Sequence, residues 1–277
     1  MTLTDSGRLV NARFSKTNLE MKMSNRPYIL AETTWETTKG NDYEVAILPW
    51  GATEAHNYHL PYSTDVIQCD YIAAESARLA WEKKSKVIVL PTVPFGVNTG
   101  QLDIKFDINM NPSTQTAVLR DIIDSLSRQG MSKVVVMNGH GGNDFKQIIR
   151  EIQPNYPHML ICTLSWYQVV NTDDFFDEPG DHAGEMETSN MLFVAPHLVQ
   201  PLSEAGEGTE SRFKPDGLRQ GWVWAQREWS KATIDTGVGN PEKSKAEKGE
   251  VYLRVLTEKI ADFLIELAAC DLDNLYG

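Results

Sequence analysis

The sequence predicts an α/β fold, a three-layer α/β/α sandwich built around a mainly parallel sheet. Short apolar runs alternate with segments whose apolar residues recur every three to four positions, which is typical of strands alternating with helices. The runs are almost continuously apolar, as expected for strands covered by helices on both faces of a sheet. The 277 residues, 41% of them hydrophobic, are enough for one large domain with a sizeable core.

Four apolar runs are predicted to form the strands of this sheet: 44–49, 86–90, 133–137 and 159–164. Apolar residues recur with helical spacing between and after these runs, which predicts helices at 66–81, 114–128, 144–152, 186–194 and 241–269. Asp65 would then lie at the N-terminal end of the first helix, where carboxylates are common as caps. The segment 94–113 is rich in Gly, Pro and Asn, which predicts a loop over a site.

Residues 1–27 are polar and lack periodicity, and we predict that they form an N-terminal extension to one catalytic domain at 28–277. The extension is either a flexible arm or a piece that docks on a neighbouring subunit.

The charge balance argues against some classes of partner. A net charge of −12 and a pI near 5 argue against nucleic acid and anionic membranes. Three cysteines that lie far apart, with no CxxC pair, predict reduced thiols in a cytoplasmic protein. No apolar run approaches the ~18 residues needed to span a bilayer, and the polar N-terminal residues do not predict a signal peptide.

The stretch WGATEAHNYHLPYSTD at 50–65 concentrates metal-ligating side chains directly after the first predicted strand. It holds Glu54, His56, His59 and Asp65. Imidazole nitrogen suits zinc, and carboxylate oxygen suits zinc, manganese or magnesium. Glu54 and His56 are two residues apart, so they point to the same side of an extended backbone, whereas a helix would separate them by about 200°. The stretch therefore predicts a metal-binding loop or strand end.

Two further clusters carry the same chemistry. His140 lies between glycines in the stretch NGHGGN, directly after the third predicted strand, and glycine lets the backbone approach a ligand closely. The stretch DHAGEMETS at 181–189 holds His182, Glu185 and Glu187. Because sites in parallel sheets lie at the carboxyl ends of the strands, the first two clusters are expected to meet.

A less specific interpretation stands beside this one. A lone His or Glu is usually a solvated surface residue or a hydrogen-bonded core residue, and three unrelated surface clusters would bind no metal. A separation of Glu54 from His140 by more than about 10 Å would end the metal hypothesis, because zinc–ligand distances are ~2.0–2.2 Å.

The chain resembles the creatininase family, also called creatinine amidohydrolases. The resemblance is carried by LPWGATEAHNYHLPYSTD at 48–65, MNGHGGN at 137–143, DHAGEMETS at 181–189 and TGVGNPEKSKAEKGE at 236–250. It spans roughly residues 28–268. It implies a three-layer α/β/α fold, often assembled as a homohexamer, with two divalent metal ions per subunit, Zn²⁺ and/or Mn²⁺.

The resemblance also implies a role for each matching residue. Glu54 and His140 match ligands of the first metal. His56 matches a ligand of the second metal, and Asp65 matches the bridging carboxylate. His182 matches the histidine that shuttles a proton to the leaving nitrogen.

The sequence departs from the creatininase branch itself at one ligand. That branch reads NGHYEN, and its glutamate ligates the second metal, whereas this chain has Gly142 there. We predict that Glu185 supplies the missing ligand. Glu187 is predicted to orient His182 or a metal ligand, or else to be an ordinary carboxylate at a helix N-terminus.

The substrate-binding positions depart as well. Gly141 replaces the tyrosine of NGHYEN, and Asn98 replaces the serine of the family's Y-G-x-S-x-x-H segment. Asn98 is the predicted substrate-binding residue. Since the creatinine-binding residues are not preserved, the resemblance implies the type of reaction and leaves the substrate open.

The predicted function is metal-dependent hydrolysis of a C–N bond, other than a peptide bond, in a small cyclic or formyl amide. Two metals lower the pKa of a bound water towards ~7 and present hydroxide to the amide carbonyl. His182 then protonates the departing nitrogen as a general acid. The alternative is a non-catalytic metal-binding subunit with a ligand-sensing or scaffolding role.

Overall fold

The computed structural model describes residues 26–276 and is built on four parallel strands. These strands are β1 Val45–Trp50, β2 Val87–Val89, β3 Lys133–Asn138 and β4 Leu160–Ser165. Their order in the sheet is β2-β1-β3-β4. The register pairs Trp50 with Asn138 and Asn138 with Ser165, so three carboxyl ends lie side by side. All four predicted strands are confirmed.

The helices of the described residues are α1 Trp35–Lys39, α2 Thr64–Glu82, α3 Pro112–Arg128, α4 Phe145–Ile152, α5 Glu185–Val194, α6 Asp216–Arg219, α7 Trp229–Ala232 and α8 Ala246–Ala269. A second, two-stranded sheet pairs β5 Gly180–His182 antiparallel with β6 Val238–Gly239. None of the helices in this part of the chain is long and apolar enough to cross a membrane.

Side chains of β1 alternate between two hydrophobic cores, as the period of two along a strand requires. Val45 and Ile47 pack with residues of α2 and α8 on one face of the sheet. Leu48 and Trp50 pack with residues of α3 and α4 on the other face. Helices therefore cover both faces, and the predicted three-layer α/β/α sandwich is confirmed.

Two segments near the C-terminus differ from the prediction. The last helix was expected from residue 241 but begins at Ala246, because the preceding residues form a turn anchored on α5. In that turn the N–H of Lys245 donates to Oγ of Ser189 at 3.1 Å. The turn expected at 236–241 instead supplies β6, whose pairing with β5 positions His182.

The boundary of the N-terminal extension stays a prediction. Of residues 1–27, only Arg26 and Pro27 belong to the described part of the chain.

Candidate metal centre

Six buried histidine and carboxylate side chains meet at the carboxyl edge of the sheet. None of them is more than 8% exposed. They come from all three sequence clusters and are Glu54, His56, Asp65, His140, His182 and Glu187. The interpretation of these clusters as unrelated surface features is therefore wrong.

The first part of the centre forms where the chain leaves β1 and enters α2. A Cβ atom on Gly51 would lie 2.9 Å from the backbone nitrogen of Val66, so only glycine lets the start of α2 come this close. Asp65, in the first turn of α2, consequently meets His56, with Oδ1 3.1 Å from Nε2.

The second part comes from the loop after β3. His140 Nδ1 lies 2.8 Å from Oε1 of Glu54 and 3.2 Å from Oδ2 of Asp65. A Cβ atom on Gly142 would lie 2.5 Å from Nε2 of His140. Glycine at this position leaves room for the imidazole of His140.

The third part comes from β5 and the start of α5. His182 Nδ1 lies 3.9 Å from Oε1 of Glu54, and Glu187 Oε1 lies 3.8 Å from Nε2 of His56. The other oxygen of Glu187 accepts the N–H of Ala183 at 2.5 Å. Ala183 has a φ of 51°, a conformation that alanine rarely adopts. Glu187 thus also holds the strained residue next to His182.

Backbone carbonyls orient all three histidines. Nδ1 of His56 pairs with the carbonyl of Glu54 at 3.1 Å, and Nε2 of His140 pairs with the carbonyl of Val97 at 3.1 Å. Nε2 of His182 pairs with the carbonyl of Ala55 at 2.8 Å. Because a carbonyl only accepts, each of these nitrogens carries the proton. The opposite nitrogen of every ring faces the carboxylates, which is how metal-binding histidines are usually held.

The electrostatics fit a site for cations. Burial alone would raise the pKa of Glu54, but attraction to His140 and His182 outweighs it and holds this pKa well below its ordinary value. Burial would lower the pKa of His56, yet the adjoining Asp65 raises it to about 10. Burial raises the pKa of Glu187 despite the attraction of His56. At this site, attraction to the buried carboxylates outweighs the free-energy cost of burying a positive charge. Binding of a cation requires this balance.

Two sets of three ligand atoms share one carboxylate. Glu54, Asp65 and His140 form the first set, and His56, Asp65 and Glu187 form the second, with the atoms of each set within 4.8 Å of one another. Asp65 turns one oxygen towards each set, with Oδ1 3.1 Å from Nε2 of His56 and Oδ2 3.2 Å from Nδ1 of His140. The donor chemistry, nitrogen and carboxylate oxygen, fits a divalent ion such as zinc or manganese.

The comparison with known families agrees with this geometry. Residues 31–264 match the family model described as creatininase, creatinine amidohydrolase. The chain belongs to the creatininase family. Members of this family are hydrolases that act on C–N amide bonds, so the chain is a creatininase-family hydrolase.

Relatives of known activity or structure cover most of the chain. Creatinine amidohydrolase of Pseudomonas putida is 25% identical over 266 residues, which is 86% of this chain and 96% of that protein. The mycofactocin precursor peptide peptidase of Mycolicibacterium smegmatis is 24% identical over 231 residues, 79% of this chain and 83% of that protein.

The solved structures include a Bacteroides fragilis protein assigned as a creatinine amidohydrolase. It is 44% identical, with a TM-score of 0.86 over 90% of this chain and 99% of that chain. A Zn–Zn form of a mutant creatininase is 25% identical, with a TM-score of 0.70, and covers 86% of this chain and 97% of its own. A manganese creatininase has the same fold, with a TM-score of 0.72.

Within this creatininase fold, the expectation that Glu185 supplies the missing ligand is not met. Its Oε2 accepts the N–H groups of Asp177 and Glu178 at 2.7 and 2.8 Å, and its other oxygen pairs with Lys248. Residues two apart on a helix point about 200° apart, so only one of Glu185 and Glu187 can face the cluster. The structure places Glu187 there.

The predicted substrate residue, Asn98, lines the cavity over the cluster and is 3% exposed. Its amide nitrogen is already engaged, donating to the carbonyls of Thr53 and Ile108, both at 3.2 Å. Sequence reasoning missed Gln101, three residues further on, which donates to Oε2 of Glu54 at 2.5 Å. Its position in the loop predicted over the site was the available signal.

The cluster forms one end of a cavity of about 1160 Å³. The cavity is also lined by residues of the long segment between α5 and α8, among them Phe213, Trp224 and Trp229. Trp229 also lies against the imidazole of His182.

Proposed function

We propose that this creatininase-family hydrolase is a metal-dependent amidohydrolase that binds two divalent cations per subunit, Zn²⁺ and/or Mn²⁺. We assign the first cation to Glu54, Asp65 and His140, and the second to His56, Asp65 and Glu187. The observation that supports this most is the orientation of the histidines, each of which gives one ring nitrogen to a backbone carbonyl and turns the other to buried carboxylates. The zinc and manganese forms of related creatininases support the choice of metals.

The cations, when bound, would lower the pKa of a coordinated water and polarise the amide carbonyl. The chain itself supplies the proton transfer. Nε2 of His182 donates its proton to the carbonyl of Ala55, which leaves Nδ1 as the nitrogen that can take up and release a proton. Nδ1 takes the proton that water loses on adding to the carbonyl carbon, and it returns this proton to the nitrogen as the C–N bond breaks. The products are a carboxylic acid and an amine.

We infer a small cyclic or formyl amide as the first candidate substrate, following the resemblance to creatinine amidohydrolases. The size of the cavity favours a second candidate. A volume of about 1160 Å³ exceeds the ~300–1,000 Å³ of most small-molecule sites. A longer amide, such as a peptide segment, would fill it, and one similar protein is a peptide peptidase.

Metal analysis of a matched pair of variants tests the ligand assignment. We expect wild-type protein to contain close to two ions per subunit by elemental analysis. Glu187→Gln should fall towards one ion, and Glu185→Gln should keep two, because Glu185 bonds to backbone N–H groups and to Lys248. No bound ion in wild type, even after reconstitution with Zn²⁺ or Mn²⁺, would overturn the proposal.

Activity separates the two substrate candidates and the non-catalytic alternative. Wild type and His182→Ala are assayed against creatinine, N-formyl amides and short peptides. Hydrolysis of one class, lost in His182→Ala with its metal content intact, supports the enzyme and names the class. Two bound ions without hydrolysis of any of these would favour the ligand-sensing or scaffolding subunit.

The assembly is part of the same proposal. We infer a homohexamer from the family resemblance and a cytoplasmic location from the three widely separated cysteines, and sedimentation velocity of the purified protein tests the hexamer. The three cysteines form no disulfide among the described residues.

A further inference from the structure

Gln101 is a buried glutamine next to the first set of ligands. It is 2% exposed, and its Nε2 donates to Oε2 of Glu54 at 2.5 Å. Because a carboxylate only accepts, the amide nitrogen must face Glu54, and the amide oxygen must face away from it. That oxygen has no hydrogen-bond partner within residues 26–276.

A side-chain amide is energetically unfavourable at this buried position. A buried polar atom without a partner destabilises the fold, and an apolar side chain of the same length would avoid this cost. The backbone already holds the loop, since the N–H of Gln101 donates to the carbonyl of Asn98 at 3.0 Å. The contact with Glu54 is therefore the interaction that the amide adds.

This contact divides the two oxygens of Glu54 between different partners. Oε1 faces Nδ1 of His140 at 2.8 Å, while Oε2 is taken by Gln101. A cation shared with His140 and Asp65 would meet only Oε1. Among residues 26–276, Gln101 makes no hydrogen bond to His56, Asp65 or Glu187, the second set of ligands. Glu187 is held instead by the N–H of Ala183.

We propose that Gln101 is a positioning residue that holds Glu54 as a one-oxygen ligand and strengthens the first cation site selectively. The inference rests on the proposed metal centre. An amide nitrogen does not titrate between pH 4 and 10, so this support is the same across that range, unlike support from a histidine or a carboxylate.

Zinc titration of matched variants tests this role. Gln101→Met keeps the length of the side chain and removes the donor. The control is Gln115→Met, because Gln115 is 1% exposed and its Nε2 donates at 2.9 Å to the neutral Oδ1 of Asn143. Metal-free proteins are titrated with Zn²⁺ by calorimetry, in the wild-type background and with Glu187→Gln, which isolates the first site.

We expect Gln101→Met to weaken the first site about 10- to 100-fold, the usual effect of removing a group that orients a metal ligand. The second site and both sites of Gln115→Met should bind Zn²⁺ as in wild type. Unchanged affinity in Gln101→Met would overturn the role of Gln101 and leave the metal centre standing. Equal weakening of both sites would also overturn it, because this indicates a general loss of packing. Absence of Zn²⁺ binding by wild type would overturn the metal centre itself.

Discussion

The indole of Trp229 packs against the imidazole of His182, with ring centroids 4.7 Å apart and ring planes at 63°. The guanidinium of Arg227 stacks on the same indole, 4.8 Å from the ring centroid. This guanidinium also pairs with Asp181, which precedes His182, at 2.9 Å. The backbone N–H of Trp229 donates to the carbonyl of Gly100 at 3.0 Å, so the segment is tied to the loop that carries Gly100. Trp229 therefore restricts the ring that we propose transfers the proton.

Trp229→Ala should lower kcat roughly fivefold with little change in metal content. An edge-to-face aromatic pair is worth about 1 kcal/mol beyond its area, and that amount of lost orientation corresponds to this factor. Trp229→Phe should retain most of the activity. Trp222, which is 74% exposed and does not line the cavity, provides the control Trp222→Ala. Steady-state kinetics make the measurement, and equal loss in both alanine variants would contradict it.

Two adjacent glycines should respond differently to alanine. A Cβ at Gly142 would meet Nε2 of His140 at 2.5 Å and also contact the carbonyl of Val97, whereas a Cβ at Gly141 would meet nothing within 4 Å. Gly142→Ala should lower the free energy of unfolding by about 1–3 kcal/mol, as overpacking does, and weaken zinc binding. Gly141→Ala should leave both near wild type. Denaturant unfolding and zinc titration of the pair would show the contrast.

Metal binding should release protons at pH 7.5. In the metal-free protein the pKa of His56 is raised to about 10 by Asp65, against the effect of burial, so His56 is protonated at that pH. A cation needs the neutral ring, so zinc affinity should rise with pH up to about 10. Calorimetry in buffers of different ionisation enthalpy counts the protons. A binding enthalpy that does not depend on the buffer would refute the prediction.

The raised pKa of His56 also makes the stability of the metal-free protein depend on pH. A histidine whose folded pKa lies above its unfolded value of about 6.5 stabilises the fold fully below that pH. This contribution is lost as the pH rises through about 10. In His56→Gln the loss of stability between pH 7 and pH 10 should therefore be smaller than in wild type, as denaturant unfolding at the two pH values would measure.

His59 should make stability depend on pH in the opposite direction. Burial, aided by the charge of His56, lowers its pKa to about 4, and its Nε2 lies 2.8 Å from Oγ1 of Thr188. The folded pKa is below the unfolded value, so this contribution is present above about pH 6.5 and is lost as the pH falls towards 4. A shift of about 2.5 units corresponds to up to about 3 kcal/mol.

Denaturant unfolding of the metal-free proteins at pH 7 and pH 4.5 measures this effect. His59→Gln should lose less free energy of unfolding between these two values than wild type does. Equal losses would show that His59 does not titrate with the lowered pKa.

Much of the candidate site could be predicted because it depends on local patterns and one topological rule. Glu54 and His56 follow β1, His140 follows β3, and Asp65 opens α2, as expected. The carboxyl ends of parallel strands meet at one edge, so residues at these ends come together whatever the loops do.

The choice between Glu185 and Glu187 could not be made from the sequence. Both lie in the first turn of α5, and the helix can turn only one of them to the cluster. The rotation of α5 is decided by its packing on α8, where Lys248 pairs with Glu185. This contact joins residues 63 positions apart, and no periodicity within α5 records it.

The sequence by itself determined the layered fold, the cluster of histidines and carboxylates and the kind of chemistry they support. Hydrophobic periodicity and ligand types are local properties, and local properties can be read along a chain. The tertiary structure alone decided that Glu187 faces the cluster, that Gln101 holds Glu54, and that Trp229 covers His182. Each of these depends on how an irregular segment or a helix face packs against residues that are distant in the sequence. Close packing depends on the positions of all elements of the folded chain, so it cannot be read from one segment alone.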